Sequence, residues 1–315
     1  MSENLLAICT FNRKNDLEVL FKSLLKIDLR DTSILLVDAT SSDSDIYWDW
    51  ANSAQKELRQ VLTAAEIVWI PHKKGLTFQR NSALKFAATN GFDFIHFIDD
   101  DVELHHDYLR TISEYFRLNH KCVGITGQRV DEYPIISRTD GKSPHKLYST
   151  LQKKINGESS YGSVSISGLN NMCYGESTLE VKWLSGCSMS YRLGGIKGKF
   201  FSEEFSDYSL MEDLDFSFSL NEFGQLIYLP SAKLKHNISE ANRWNYLKGL
   251  RIEAHNRTAF VYKYRDKLSL NRHLASYTLN IFRLLLQSLH KRTRLSEALA
   301  ILRGLSTGLY RRTYL

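Results

Sequence analysis

The chain has 315 residues, 43% of them hydrophobic and 24% charged, with a net charge of +6. These are ordinary proportions for a soluble globular protein, with room for one large core, or one core and a smaller appendage. After residue 270 come eight basic residues and one acid, Glu297, so the tail carries +7 and residues 1–270 about −1, which argues against a main domain that binds nucleic acid.

The amino terminus, Met1-Ser2-Glu3-Asn4, runs almost at once into an apolar strand, Leu5-Leu6-Ala7-Ile8, and shows no signal-peptide pattern. From Asp16 to Leu25 the apolar residues Leu17, Leu20, Phe21, Leu24 and Leu25 recur at helical spacing. Ile34-Leu35-Leu36-Val37 reads as a second strand and Ser41-Ser42-Asp43-Ser44 as a polar loop. A helix over 52–64, a strand at Ile67-Val68-Trp69-Ile70 and a helix over 77–89 follow. Then comes Phe94-Ile95-His96-Phe97-Ile98, an apolar run that stops at Asp99-Asp100-Asp101 because like charges cannot share a dry interior. A helix near 107–118 and a strand at 122–125 complete the alternation, which predicts a doubly wound, mostly parallel α/β sheet.

Residues 130–178 show no sustained period and predict a long excursion or a β-hairpin region beside the sheet, with order returning at Val181-Lys182-Trp183-Leu184. The last 45 residues predict helix, with Leu274, Tyr277, Ile281, Leu284, Leu285 and Leu289 as one apolar stripe. Arg283 interrupts its most apolar stretch, which argues against a membrane span. Two readings remain for this basic extension: a helix lying on an anionic membrane surface, or one packed on the catalytic domain. Cys9, Cys122, Cys173 and Cys187 form no Cys-x-x-Cys pair, so reduced thiols are expected, and neither a zinc site nor a disulfide framework.

At the carboxyl edge of such a sheet, where ligands of open α/β folds bind, clustered carboxylates can hold a divalent cation and through it a diphosphate. The ordinary alternative is an Asp-rich turn or cap. Other segments converge on the same edge. Cys9-Thr10-Phe11-Asn12-Arg13 opens a helix without the Gly-x-Gly-x-x-Gly of a dinucleotide site. Asp38 ends the second strand, Arg80 and Asn81 stand near a helix start suited to an anion, and Met211-Glu212-Asp213-Leu214-Asp215 forms a second acidic cluster. Tyr228 to His236 ends in an imidazole that can ligate a metal. His105-His106 is discounted as a second metal site because adjacent residues in a loop or strand point apart.

In this order the segments resemble the inverting glycosyltransferases of family 2, which have the GT-A fold. The likeness spans about residues 4–240 and includes Trp183-Leu184-Ser185-Gly186-Cys187-Ser188-Met189-Ser190-Tyr191-Arg192, then Gly224 and Pro230. It implies a GT-A domain over 1–240, with a nucleotide-binding half (1–128) and an acceptor-side half (129–240), followed by a basic helical extension over 241–315. It further implies that Thr10, Phe11, Asn12, Arg13, Asp38, Arg80, Asp99 and Asp100 bind the nucleotide-sugar, and that Asp101 and His236 hold Mn²⁺ or Mg²⁺. Asp213 is then the general base, with Glu212, Trp183, Gly186 and Arg192 on the acceptor side or behind it. The implied reaction moves a sugar, from a UDP-sugar by family default, to a hydroxyl of a glycan or lipid-linked glycan in surface polysaccharide assembly, at the cytoplasmic face of a membrane.

Two departures stand out. Ala39 occupies a position where Asn or Asp often follows the base-binding Asp, and Glu240-Ala241-Asn242-Arg243-Trp244 differs by one residue from the Gln-x-x-Arg-Trp of processive synthases. Those synthases carry several membrane spans that this chain lacks, so a non-processive enzyme is expected. A nucleotidyltransferase, also built on carboxylates and a divalent ion, is the alternative enzyme. A non-catalytic nucleotide-sugar or glycan-binding protein on the same fold is the non-enzymatic one. A nicotinamide-dependent oxidoreductase is disfavoured by the missing glycine fingerprint.

Overall fold

All of β1 (Asn4–Thr10) except Cys9 is buried, and so is every residue of β2 (Thr32–Asp38), because their sheet is covered on both faces. The computed structural model describes residues 3–41, 43–64, 66–130, 145–157, 159–205, 210–237, 245–289 and 291–310. It divides into two units, one of residues 1–133 and 173–241 and the other of 134–172 and 242–315. The Glu240 to Trp244 segment lies outside the described residues.

In the first unit the chain continues through β3 (Ile67–Pro71), β4 (Phe94–Asp99), β5 (Val102–Leu104), β6 (Cys122–Arg129), β7 (Leu179–Val181), β8 (Ser188–Arg192) and β9 (Gln225–His236). These strands form one sheet in the order β3-β2-β1-β4-β8-β6-β9-β5, with β7 beside β9. From β3 to β4 the pairs are parallel; β8 runs antiparallel to both β4 and β6. The helices are α1 (Lys14–Leu24), α2 (Asp45–Val61), α3 (Leu76–Thr89), α4 (Tyr108–Leu118) and α6 (Glu212–Ser219), α5 lying in the second unit.

Alternation along β1 distributes its side chains between two cores. Leu6 and Ile8 join Leu17, Leu20, Leu58, Ile112 and Phe116, so α1, α2 and α4 cover that face. Leu5 and Ala7 join Leu84, Ala87 and Phe216 on the other, under α3 and α6. Leu25, expected in the α1 stripe, is exposed just past the helix end.

Several elements depart from the expected pattern. Helix α2 begins at Asp45, seven residues before the expected start, because Tyr47 and Trp50 pack through ring contacts and Trp50 meets Trp69 of β3. An aromatic run of that kind has no leucine period to read. Strands β8 and β9 were hidden for a related reason: they are held by pairing inside the sheet and carry their own serines, lysines and arginine. All four cysteines are free, as expected.

The second unit contains α5 (His145–Asn156), α7 (Tyr246–Lys263), α8 (Leu270–Ser288) and α9 (Thr293–Tyr310). Helix α5 lies inside the stretch expected to be an excursion or a β-hairpin region. Ala254, Ile281, Leu284, Ala298, Ile301 and Leu305 form the core of this unit, with Tyr277 packed against it. Much of the expected tail stripe is therefore the packing face of α8, although Leu285 and Leu289 are exposed. Helix α9 approaches α7 closely at Gly304 and Gly308, where an added Cβ would lie 2.8 Å from Ala254 Cβ and 2.8 Å from the His255 carbonyl oxygen. Buried His273 bonds Thr258 Oγ1 at 3.0 Å and the Ser167 carbonyl at 3.1 Å.

Candidate active site

Parallel register sets the geometry of the rim. Thr10 pairs with Asp38 and Cys9 with Asp99, so the last residues of β2, β1 and β4 end level with one another. Gln79 of α3 ties this edge together by donating to the carbonyls of Thr10 (2.9 Å) and Val37 (2.7 Å).

The three aspartates separate there. Asp100 points inward, accepts from Thr10 Oγ1 at 2.6 Å, and has its pKa pushed up to about 8 by burial. Asp99 and Asp101 instead meet His236, their ligand atoms and one ring nitrogen all lying within 4.8 Å of one another. His236 arrives because β5 pairs antiparallel with β9, setting Val102 opposite it, and its Nε2 lies 2.9 Å from Asp101 Oδ1. Two carboxylates and an imidazole form an oxygen-and-nitrogen donor set that could hold a divalent cation. Arg13 lies 3.7 Å from Asp101 and 4.0 Å from Asp100, and Asn12 holds its left-handed turn (φ 54°) through an N–H to Thr40 Oγ1 of 2.9 Å. Lys74 Nζ sits 4.2 Å from the Phe11 ring centroid.

Arg80 joins this rim to the second acidic cluster. Its buried guanidinium donates to Glu212, to Asp99 Oδ1 (3.4 Å) and to the Gly186 carbonyl (3.0 Å). Burial alone would lower its pKa, but Glu212 and Asp99 outweigh that and raise it, so the cation is permanent. Glu212 is pushed up to about 8 by burial and by the neighbouring charge of Asp213, with Arg80 opposing. Asp213 itself accepts the Leu214 N–H on Oδ1 (2.7 Å) and the Gly186 N–H on Oδ2 (2.8 Å). Burial raises its pKa against the pull of Arg80 and these N–H groups. Each oxygen keeps a lone pair for a proton. Met211, left-handed at φ 78°, starts α6 and so sets Glu212 and Asp213 in its first turn.

Not every expected residue gathers here. Arg192 pairs with Phe94 at the opposite end of β4, donating to the carbonyls of Phe116 and Cys122 and stacking over Phe94 and Phe116. It braces the far edge of the sheet and does not reach the aspartates. Asp38 has no exposed surface, and Tyr47 (2.6 Å), Trp69 (3.0 Å) and the Thr40 N–H (2.9 Å) already donate to it. Trp183 is buried, and its chain is anchored next door by the Leu184 N–H to Ser217 Oγ bond of 3.1 Å. Sequence reasoning missed Gln79, Tyr47 and Trp69; an amide beside an arginine and two aromatics in a helix and a strand carry no spacing that would mark them. The His105 and His106 rings, expected to diverge, lie 4.3 Å apart in the turn before α4, and with Asp107 they form a second group of closely spaced ligand atoms.

The sequence profile of Glycosyl transferase family 2 matches residues 6–174, more than half the chain. The chain belongs to glycosyl transferase family 2. It is a glycosyltransferase, and its architecture is the GT-A fold. A mannosyltransferase, PcManGT of Pyrobaculum calidifontis, solved with GDP-Man and Mn²⁺, aligns over 98% of this chain and 87% of its own, at 12% identity and a TM-score of 0.55. GalNAc-T7, solved with UDP, GalNAc and Mn²⁺, aligns over 83% of this chain and 48% of its own, again at 12% identity and a TM-score of 0.55. Residues 1–349 of S. aureus TarS, solved with UDP, align over 99% of this chain and 92% of that one, at 15% identity and a TM-score of 0.51. No curated protein matched the glycosyltransferase by sequence.

Proposed function

We propose that this glycosyltransferase moves a sugar, with inversion, from a nucleoside-diphosphate-sugar to a hydroxyl of a glycan or lipid-linked glycan, using a divalent cation and Asp213 as general base. The observation that carries the reading is the Arg80 bridge, which sets Asp213 and Glu212 beside the Asp99, Asp101 and His236 group within one network. Asp99, Asp101 and His236 would hold Mn²⁺ or Mg²⁺, which when bound offsets the charge gathering on the departing diphosphate.

The other steps belong to side chains. Arg13, at the rim, faces the anionic donor, and Asp100 with Thr10 fixes the floor beneath it. The acceptor hydroxyl must lose its proton as it attacks, and Asp213 takes it on a carboxylate oxygen oriented by Gly186 and Leu214. A single displacement assisted by one base inverts the anomeric centre, and no second carboxylate nucleophile is required. Glu212, bonded to Arg80, keeps that cation in place between the two acidic groups. Asp38, already taken by Tyr47 and Trp69, would act on the nucleotide through the aromatic side chains that it holds in place. A UDP-sugar is the favoured donor, in keeping with the UDP complexes of two of the similar folds, and Mn²⁺ in two of them supports the cation. Surface polysaccharide assembly at the cytoplasmic face is the setting that these substrates suit.

A panel of UDP-, GDP- and dTDP-sugars incubated with Mn²⁺ or Mg²⁺ tests the proposal. Release of a nucleoside diphosphate from one of them, dependent on the cation, is the expected result. Release of pyrophosphate would identify a nucleotidyltransferase instead, and no release from any donor would overturn the enzymatic reading of the site.

A further inference from the structure

Helices α8 and α9 bury one face each in the core they share with α7 and leave a second apolar face bare. On α8 the bare residues are Phe282 (58% exposed), Leu285, Leu286 and Leu289 (79% exposed), spaced i, i+3, i+4, i+7. On α9 they are Leu295, Leu299 and Leu302, spaced i, i+4, i+7. Each set makes one stripe on its helix, and each lies away from the buried positions Ile281 and Leu284 or Ala298, Ile301 and Leu305. Seven large apolar side chains left in water on two consecutive helices mark an interaction surface, where scattered single ones would not.

Charge identifies the partner. Lys291 and Arg292 are exposed between the two stripes, and Arg303 is exposed next to Leu302. After Asp266 the chain has a single acid, Glu297. That residue is buried and accepts from Arg294 at 3.0 and 2.8 Å. No exposed carboxylate among the described residues of α8 or α9 therefore offsets these cations. A second copy of the chain on this face would bring like charges together, which opposes self-association. Bare leucines flanked only by cations suit a surface that is apolar beneath and anionic on top. No helix among the described residues is long and apolar enough to cross a membrane, so the contact is with one leaflet.

We propose that the outer faces of α8 and α9 dock the protein on an anionic lipid bilayer, Phe282, Leu286, Leu289 and Leu299 entering the acyl boundary and Lys291, Arg292 and Arg303 meeting lipid phosphates. The proposal stands on these two helices and is independent of the transfer reaction above. The test is flotation of the full chain with vesicles of phosphatidylcholine alone and of equal parts phosphatidylcholine and phosphatidylglycerol. Wild type floats with the mixed vesicles and far less with phosphatidylcholine, and salt releases it. Lys291→Ser/Arg292→Ser/Arg303→Ser weakens partitioning on the order of a hundredfold, about fivefold for each cation near the surface. Leu286→Ser/Leu289→Ser/Leu299→Ser reduces it as well while keeping the wild-type circular-dichroism melt and donor hydrolysis, since those side chains lie outside the core. Absence of wild-type flotation, equal flotation of the variants, or a dimer in light scattering that the leucine variant abolishes would each overturn the proposal.

Discussion

Asp213 is held by two backbone N–H groups and raised by burial, and both properties have consequences for rate. If it takes the proton, it must be ionised, so kcat/KM falls as the pH drops through its folded pKa. Because that pKa is raised, the acid limb of the profile lies above the ordinary carboxylate range near 4. Asp213→Asn should keep donor affinity, lower turnover by a factor on the order of 10² or more, and remove that limb; a pH–rate profile and calorimetry of donor binding check both. Asp101→Ala removes one of three closely spaced ligands, and cation-assisted binding of a nucleoside diphosphate should be lost with it. Calorimetry with and without Mn²⁺ reads that directly, and intact cation dependence would sink the assignment. The carboxylates and His236 were legible as a linear pattern because their chemistry needs those residue types at strand ends. What the pattern missed was how neighbours would dispose of them. Asp100 turned inward to Thr10, Asp38 was claimed by Tyr47 and Trp69, and Arg192 went to the far end of β4.

Among the elements, the readable ones were β1 to β4 as apolar runs and α1 by its leucine spacing, with α3 and α4 following from the alternation of strand and helix. Elements built by partners were not readable. β8 and β9 exist because the sheet pairs with them, and α5, whose Leu147, Leu151 and Ile155 do recur at helical spacing, is a single short helix inside a long polar stretch. The seam between α7 and α9 makes a test at this scale. Gly304 has no room for a side chain, since its Cβ would press on Ala254 and on the Arg251 carbonyl. Gly304→Val should lower stability by about 1–3 kcal/mol, the usual cost of overpacking a fitted contact. Thermal or urea unfolding measures it, and a wild-type midpoint would show that the seam yields.

At the scale of the whole molecule, one buried histidine in each unit disfavours acid. His96 is fully buried between Ser190 Oγ and Asn4 Oδ1, each 2.9 Å away, and burial lowers its pKa to about 3. His273, in the other unit, is lowered by burial to about 4. Both are neutral when folded, and both take a proton near pH 6.5 when unfolded. Through these two groups the unfolded chain binds more protons below pH 6.5, and their contribution to stability declines from there down to the folded values, while the raised carboxylates Asp100 and Glu212 act in the opposite sense. The total for His96 alone is about 3–5 kcal/mol. The difference in urea midpoint between wild type and His96→Asn, read at about pH 7.5, 6, 5 and 4, isolates this histidine and should move against the wild type as the pH falls.

The strand pairing that seats His236 against Asp101 spans 135 positions of sequence, and the later partner belongs to the last strand of the sheet. During synthesis, a ribosome that has released only the first 200 residues has delivered Asp99 and Asp101 but neither the imidazole of His236 nor the carboxylate of Asp213. On the assignment proposed above, an unfinished polypeptide would lack a complete cation group until translation has passed the closing strand.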